Sequence, residues 1–393
     1  MSKPHDQTTP TFPLLKLPFL PLTDAVKQMV FMDIYKLSLL SKKSETLLKY
    51  MQLKTDGFRV SFGSKCSTIR QIENERGRDT LIQRFYSNEE DMKSNRFRTF
   101  NQIAPDTMSL VPDQKDECVT LANGLSKLFK TKKFTYFTRS HPNKNPEEMK
   151  DFLSKMLSGS YTELSFSGIQ HVDDERHFTV VAIDGGVLEY LMDTVKFDAS
   201  LALRYSFPQN FSHDNAFKFR KVDYSDGSWV TMETLTSLQN AGSISLSGFI
   251  FDSKDLNEFI KYWINCEEDM IEDVTMNVKE QIIEEDVLKD LITVVSVSRG
   301  NQVHVMRARN IKNRRRILGK LTVMSDLFGI TLETMEATDE YKVKLEILEL
   351  KEKQNELEEE LSKNEKVRSK TGRNGAIQAE LAGIRKRLLA LKI

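Results

Sequence analysis

The stretch ISLSGFIFDSKDLNEFIKYWINCEEDMIEDVTMNV, residues 244–278, decides the fold class. Ile244 and Leu246 alternate with serines, and the run Phe249 to Phe251 follows, so a strand is expected. Ser253 then stands where a helix N-cap belongs. Leu256, Phe259, Ile260 and Trp263 fall at i, i+3, i+4 and i+7, one apolar face of a helix and a core face rather than a ligand site. Val274, Met276 and Val278 alternate again as a second strand.

The same alternation extends over 171–336. Phe178 to Ile183 reads as a strand, Val187 to Val195 as a helix after Gly185-Gly186, and Ile282 to Leu291 as a helix. This predicts a layered α/β or leucine-rich-repeat-like domain, although the strict LxxLxLxxN repeat is absent. After it, residues 339–393 carry heptads. Val343, Ile347, Leu350, Gln354, Leu357 and Leu361 form one seam, and Ile377, Leu381, Ile384, Leu388 and Leu391 a second. The turn signal Thr371-Gly372-Arg373-Asn374-Gly375 separates an acidic arm from a basic one, as expected of an antiparallel helical hairpin. Two helices that each pair with another chain, giving self-association through 341–393, are the competing reading.

Upstream, 55–170 is the least legible region. Phe58, Val60 and Phe62 alternate as a strand, and Asn88 to Lys115 reads as a long polar loop. Asn145, Pro146, Glu147 and Glu148 form a helix start, with Met149, Phe152, Leu153 and Met156 on its apolar face. Residues 11–54 are helical: Leu22, Ala25, Val26 and Met29 share one face, Ile34, Leu37 and Leu40 a second, and Leu47, Leu48 and Met51 a third. Three short helices cannot bury that much apolar surface against each other. The remainder meets either the rest of the chain or another protein. The whole chain is thus expected to be α+β.

Bulk properties narrow the function. The 393 residues exceed one ordinary core, and 57 basic against 57 acidic side chains leave no global charge to recruit nucleic acid or a membrane. Cys66, Cys118 and Cys266 are far apart, which fits a reducing, intracellular setting, cytoplasmic or nuclear. Pro13, Pro18 and Pro21 break the apolar stretch Phe12 to Leu22, so no signal peptide is expected. No run has the length of a membrane span.

Few residues offer chemistry. The cluster His171 to His177 holds two imidazoles and three acids, a set able to bind a divalent ion, yet a solvated loop before a strand is the plainer reading. Arg314 occupies the place of a first P-loop glycine before Gly319-Lys320-Leu321, which excludes a P-loop. Lys312, Arg314, Arg315 and Arg316 read as a solvated basic run, with no interleaved aromatics for nucleic acid. No catalytic, cofactor or metal residue is named, and no cofactor is expected.

Phe12-Pro13-Leu14-Leu15-Lys16-Leu17-Pro18 and Lys36-Leu37-Ser38-Leu39-Leu40-Ser41-Lys42-Lys43 resemble the F-box of nematode-type F-box proteins. Leu256 to Ile264 resembles the L-N-x-F-L-K-x-W-I block of the type 2 F-box-associated domain. The chain departs from the family at Val30-Phe31, where Asp-Pro is usual, and lacks the Asp-Gly that often closes the strand matched by Val303 to Arg309. The resemblance implies a non-catalytic substrate receptor that binds a Skp-family adaptor, and through it a cullin, and presents an unidentified protein target. It implies an adaptor face of Leu17, Pro18, Val26, Met29, Leu37 and Leu39, with Lys42 at the rim. A coiled-coil interaction scaffold with a degenerate F-box is the alternative.

Overall fold

Helices open the chain because Pro18 sets the backbone at φ −54° just before α1 (Phe19–Lys27). The computed structural model describes residues 14–73, 79–98, 107–138, 145–172, 177–298, 301–324, 328–366 and 373–391. Phe12 and Pro13, residues 173–176 of the His171–His177 cluster, and Thr371-Gly372 lie outside these. Helix α2 (Phe31–Leu39) starts after Val30, whose extended backbone makes the turn without Asp-Pro. Helix α3 (Lys42–Tyr50) is capped by Ser41, which accepts from the Ser44 N–H. Leu22, Val26, Ile34, Leu37, Leu48 and Met51 are buried, but Leu40 lies past the end of α2 and is exposed.

Two compact units divide between Thr179 and Val180, so the segments 11–54 and 55–170 share the first. Strands β1 (Leu53–Phe62), β2 (Ser67–Ile72) and β3 (Asp79–Tyr86) form an antiparallel meander. Helix α4 (Glu89–Arg98), strand β4 (Met108–Leu110) and helix α5 (Gln114–Leu128) follow, where a long loop was expected. Strand β5 (Phe129–Thr138) then pairs in parallel with β1 from Leu53–Phe129 to Phe62–Thr138. Helix α6 (Pro146–Leu157) is capped by Asn145, which accepts from the Glu147 N–H, as expected. Strand β6 (Glu163–Ser167) lies parallel to β5, and β7 (Ile169–Val172) pairs with β8 (His177–Val180) in a separate ribbon.

The N-terminal helices dock on this unit through aromatics. The Phe31 ring meets Phe58 of β1 at 5.5 Å and Phe129 of β5 at 4.9 Å. Tyr35 lies so close to α5 that a Cβ on Gly124 would stand 2.3 Å from its ring. Gly124 costs helix stability, about 1 kcal/mol against alanine, and the close approach is its reason.

In the second unit, α7 (Gly185–Thr194) begins at the two glycines themselves, with Asp184 as the N-cap. Strands β9 (Ser200–Arg204) and β10 (Lys221–Tyr224) are followed by α8 (Met232–Thr236), β11 (Ala241–Phe249), α9 (Ser253–Asn265) and β12 (Ile271–Val278). The four strands are parallel, and each lies beside its predecessor in the chain. Across them Leu201, Val222, Ile244 and Val274 align, as do Leu203, Tyr224, Leu246 and Met276, all buried. The intervening positions Asp223, Ser245 and Thr275 are polar and half-buried. A parallel sheet covered on both faces would be apolar throughout; this alternation marks a sheet with one apolar face, as in stacked β-α repeats.

Helix α9 matches its expected face, with Leu256, Phe259, Ile260 and Trp263 buried, but its cap is Asp252 rather than Ser253. Asp252 accepts from the N–H groups of Lys254 and Asp255, while Asp255 accepts from the Asp252 N–H. Ser253 instead accepts from the Ile283 N–H at 2.9 Å. Helix α10 (Glu284–Val287) is much shorter than the expected 282–291. The buried Asn257 amide donates to the carbonyls of Val287 and Lys289, and Asp290 takes a positive φ of 60°, so the helix stops there.

An antiparallel half completes the sheet: β13 (Val294–Ser298), β14 (Asn301–Arg307), β15 (Leu318–Met324) and β16 (Gly329–Met335), with β16 against β12. Helices α11 (Lys342–Lys366) and α12 (Arg373–Leu391) form an antiparallel hairpin within the chain. Arg387 bonds Glu346, Lys353 bonds Glu380 and Arg373 bonds Glu360, so numbers rise on one helix as they fall on the other. Ile347, Ile384 and Leu388 pack between them. Asn374 and Gly375 belong to α12, not to a turn, and Val343 at the head of the first seam is exposed. A second apolar face of α11, Leu345 and Leu348, packs with Val305 and Leu318 on the sheet.

Candidate interaction surfaces

The first surface is made by the N-terminal helices. Seven of the nineteen exposed large apolar side chains among the described residues fall between Leu15 and Tyr50. They are Leu15, Phe19, Leu20, Val30, Leu39, Leu40 and Tyr50. Phe19 and Tyr50 meet edge-on at 5.5 Å, which ties α1 to the end of α3. Such a density of uncovered apolar groups in one short stretch makes these helices a candidate interaction surface. The seven residues expected to face an adaptor divide in two. Pro18, Leu39 and Lys42 are exposed, and Leu17 and Met29 are half-buried. Val26 and Leu37 are buried and therefore hold the helices together instead of presenting surface. Leu20, Leu40 and Tyr50, outside the expected face, are exposed as well.

The second unit is pinned by a buried cation that was read as solvated. Arg314 is buried, with its guanidinium 4.7 Å over the ring of Trp263, itself fully buried. It donates to the carbonyls of Trp263 at 2.6 Å and Arg316 at 3.2 Å, and to the Cys266 sulfur at 3.2 Å. Asp269, also buried, accepts from the N–H groups of Arg315 and Arg316 and lies 3.9 Å from the Arg314 guanidinium. Burial draws the Arg314 guanidinium below its usual range and pushes the Cys266 thiol up. Arg315, next in the run, is 73% exposed, whereas Arg316 is largely covered and bonds Glu272, so of the three arginines only Arg315 is solvated as expected.

A groove lies between the β9-to-β10 and β10-to-β11 crossovers. It encloses about 1120 Å³ and is lined by residues of 208–218, 228–239 and Ala241. Its wall includes an aromatic cluster: Trp229 stacks on Phe217 at 5.6 Å and meets Phe211 edge-on at 5.0 Å, and the buried Phe207 stacks on Trp229 at 5.5 Å from behind the lining. Asp226 organises the wall. It accepts from the N–H groups of Phe207 and Ser228 and from the Ser228 hydroxyl, while its carbonyl accepts from the Trp229 indole. Burial pushes the Asp226 carboxyl up, but these hydrogen bonds outweigh it and hold the group below its ordinary value. Its stabilising contribution is therefore present above the unfolded value, about 3.9, and is lost as pH falls through the folded value. Asp226→Asn is expected to be less stable than the wild type at neutral pH and to match it in strong acid. Urea unfolding followed by far-UV circular dichroism at both pH values measures this; an equal gap in acid would contradict it.

Among the described residues no three His, Cys, Asp or Glu side chains gather as metal ligands. No described helix is long and apolar enough to cross a membrane.

Comparison with known proteins follows this geometry. Residues 203–276, which run from the end of β9 through the groove walls and α9 into β12, match the family described as F-box associated. The chain is also similar to the Caenorhabditis elegans Skn-1 dependent zygotic transcript 15 protein, 21% identical over 305 residues, 71% of this chain and 83% of that protein. No solved structure matches. The parallel β-α core thus defines an F-box-associated domain. Residues 203–276 are similar to the type 2 form of that domain, and the likeness to a nematode protein runs over most of the chain.

Proposed function

We propose that the chain is a non-catalytic substrate receptor of a Skp–cullin–F-box ubiquitin ligase, acting inside the cell. The exposed apolar group between Leu15 and Tyr50 carries this reading. In it, α1 to α3 dock on a Skp-family adaptor, the adaptor joins a cullin, and the F-box-associated domain holds a target. Catalysis is then by proximity: tethering raises the effective concentration of target near the ubiquitin-charged enzyme. The chain's turn at Val30-Phe31 in place of Asp-Pro supports the competing reading, an interaction scaffold whose F-box no longer binds an adaptor.

Pull-down of a purified Skp-family adaptor with the full chain decides between them. Wild type is expected to capture it. Leu20→Asp with Leu39→Asp is expected to weaken capture by roughly 1,000-fold, since buried interface anchors are worth about 2 kcal/mol or more each and 1.4 kcal/mol is tenfold. Both side chains are exposed, so the fold is untouched. No capture by wild type sinks the ligase reading.

A further inference from the structure

The groove between the crossovers has a neighbour. A second depression of about 590 Å³ adjoins it, and the two share Ser237, Leu238 and Gln239. Together they exceed the roughly 300–1,000 Å³ of a small-molecule pocket and have the reach of a peptide chain. The aromatic wall of the first groove is held in place by the hydrogen bonds of Asp226, and a wall ordered in advance lowers the cost of receiving a ligand.

Charge selects the occupant. Asp214 and Glu233 line the first groove, and Glu267 and Glu268 the second. None of these four is ion-paired among the described residues. Against them stands Lys218, whose ammonium already donates to the Asn215 amide oxygen at 3.1 Å. Asn210, Thr231 and Gln239 add polar groups suited to a peptide backbone. We propose that the two grooves form one seat for an extended basic segment, rich in Lys or Arg, of a protein target. Calling that segment a target rests on the receptor reading; the seat itself rests on the grooves.

The test selects random-sequence peptides displayed on phage against the purified full chain, then measures synthesised winners by fluorescence anisotropy. Winners are expected to be enriched in Lys and Arg. Asp214→Lys with Glu233→Lys should weaken them at least about tenfold, and so should Gln239→Arg, which places a cation between the grooves. Raising salt from about 0.1 M to about 1 M shortens the Debye length from about 10 to about 3 Å and should weaken wild-type binding as well. Trp229 fluorescence, read in a Trp263→Phe background so that it is the sole tryptophan, reports that each variant keeps the aromatic wall. Winners without basic enrichment, or basic winners indifferent to both variants, overturn the proposal. Adaptor pull-down runs in parallel on the same proteins. Peptide binding without adaptor capture supports the seat while removing the ligase reading.

Discussion

Trp263→Ala is expected to destabilise the second unit by about 3–5 kcal/mol, the range for deleting a large buried aromatic. The indole is fully buried on α9, and its surroundings cannot close over the loss. Gly319 of β15 is bare because a Cβ there would stand 2.7 Å from the ring, and Leu332 of β16 would meet that same Cβ at 3.1 Å. Removing the ring leaves a void bounded by two ladder-bonded strands, which hold their spacing. Arg314 also loses the π-face beneath its guanidinium. Urea unfolding followed by far-UV circular dichroism measures the drop. The chain has two tryptophans, so Trp229 then reports alone on the groove wall. A loss under about 1 kcal/mol would place Trp263 among the collapsible sites and contradict this packing.

Arg314→Met is the second large effect, also about 3–5 kcal/mol, because breaking a buried charged network leaves its partners without compensation. The methionine stem can still cover Trp263. The Arg316 carbonyl loses the guanidinium donor, the Trp263 carbonyl is left with only the weak Cys266 thiol, and the Asp269 carboxylate loses its nearest buried cation while keeping two backbone N–H groups. Arg314→Lys should recover little, since a single ammonium cannot reproduce a planar fork that reaches two carbonyls. Arg315→Met, one residue on, should change stability by less than about 0.5 kcal/mol, the usual range for an exposed site. Equal effects at 314 and 315 in the same denaturation series would refute the assignment. Because Trp263 and Arg314 touch, the double variant should lose less than the two singles combined.

What was legible in the sequence follows from which residues face which partner. The α9 face was readable because all its apolar positions point one way, and its cap was misplaced by one residue because Asp252 and Ser253 are both good caps. The heptad seams gave the hairpin, but a seam describes one face, so the docking of Leu345 and Leu348 on the sheet went unseen. Strand β5 was missed because Lys130, Lys132 and Lys133 interrupt its apolar alternation. Helix α5 was missed although Cys118, Leu121, Ala122 and Leu125 keep helical spacing, since the surrounding stretch is polar. Arg314 could not be told from Arg315 by type or neighbours; only the place of Trp263 in three dimensions separates them. The groove was illegible for a similar reason, since its wall joins Phe211 and Phe217 of one crossover to Trp229 of the next.

The pairing of β1 has a consequence for the order of events in folding. On one side β1 meets β2, its immediate successor; on the other it meets β5, with Leu53 opposite Phe129. The first pairing closes a short loop, whereas the second waits for β3, β4 and α5 to be laid down, and long closures form slowly. Until then β1 has an open edge carrying Phe58, Val60 and Phe62, the kind of surface on which nascent chains associate wrongly. Phe31 needs both Phe58 and Phe129 beneath it. The helices at the start of the chain therefore gain their platform only after β5 arrives, and a chain stalled before that point would display them unmoored.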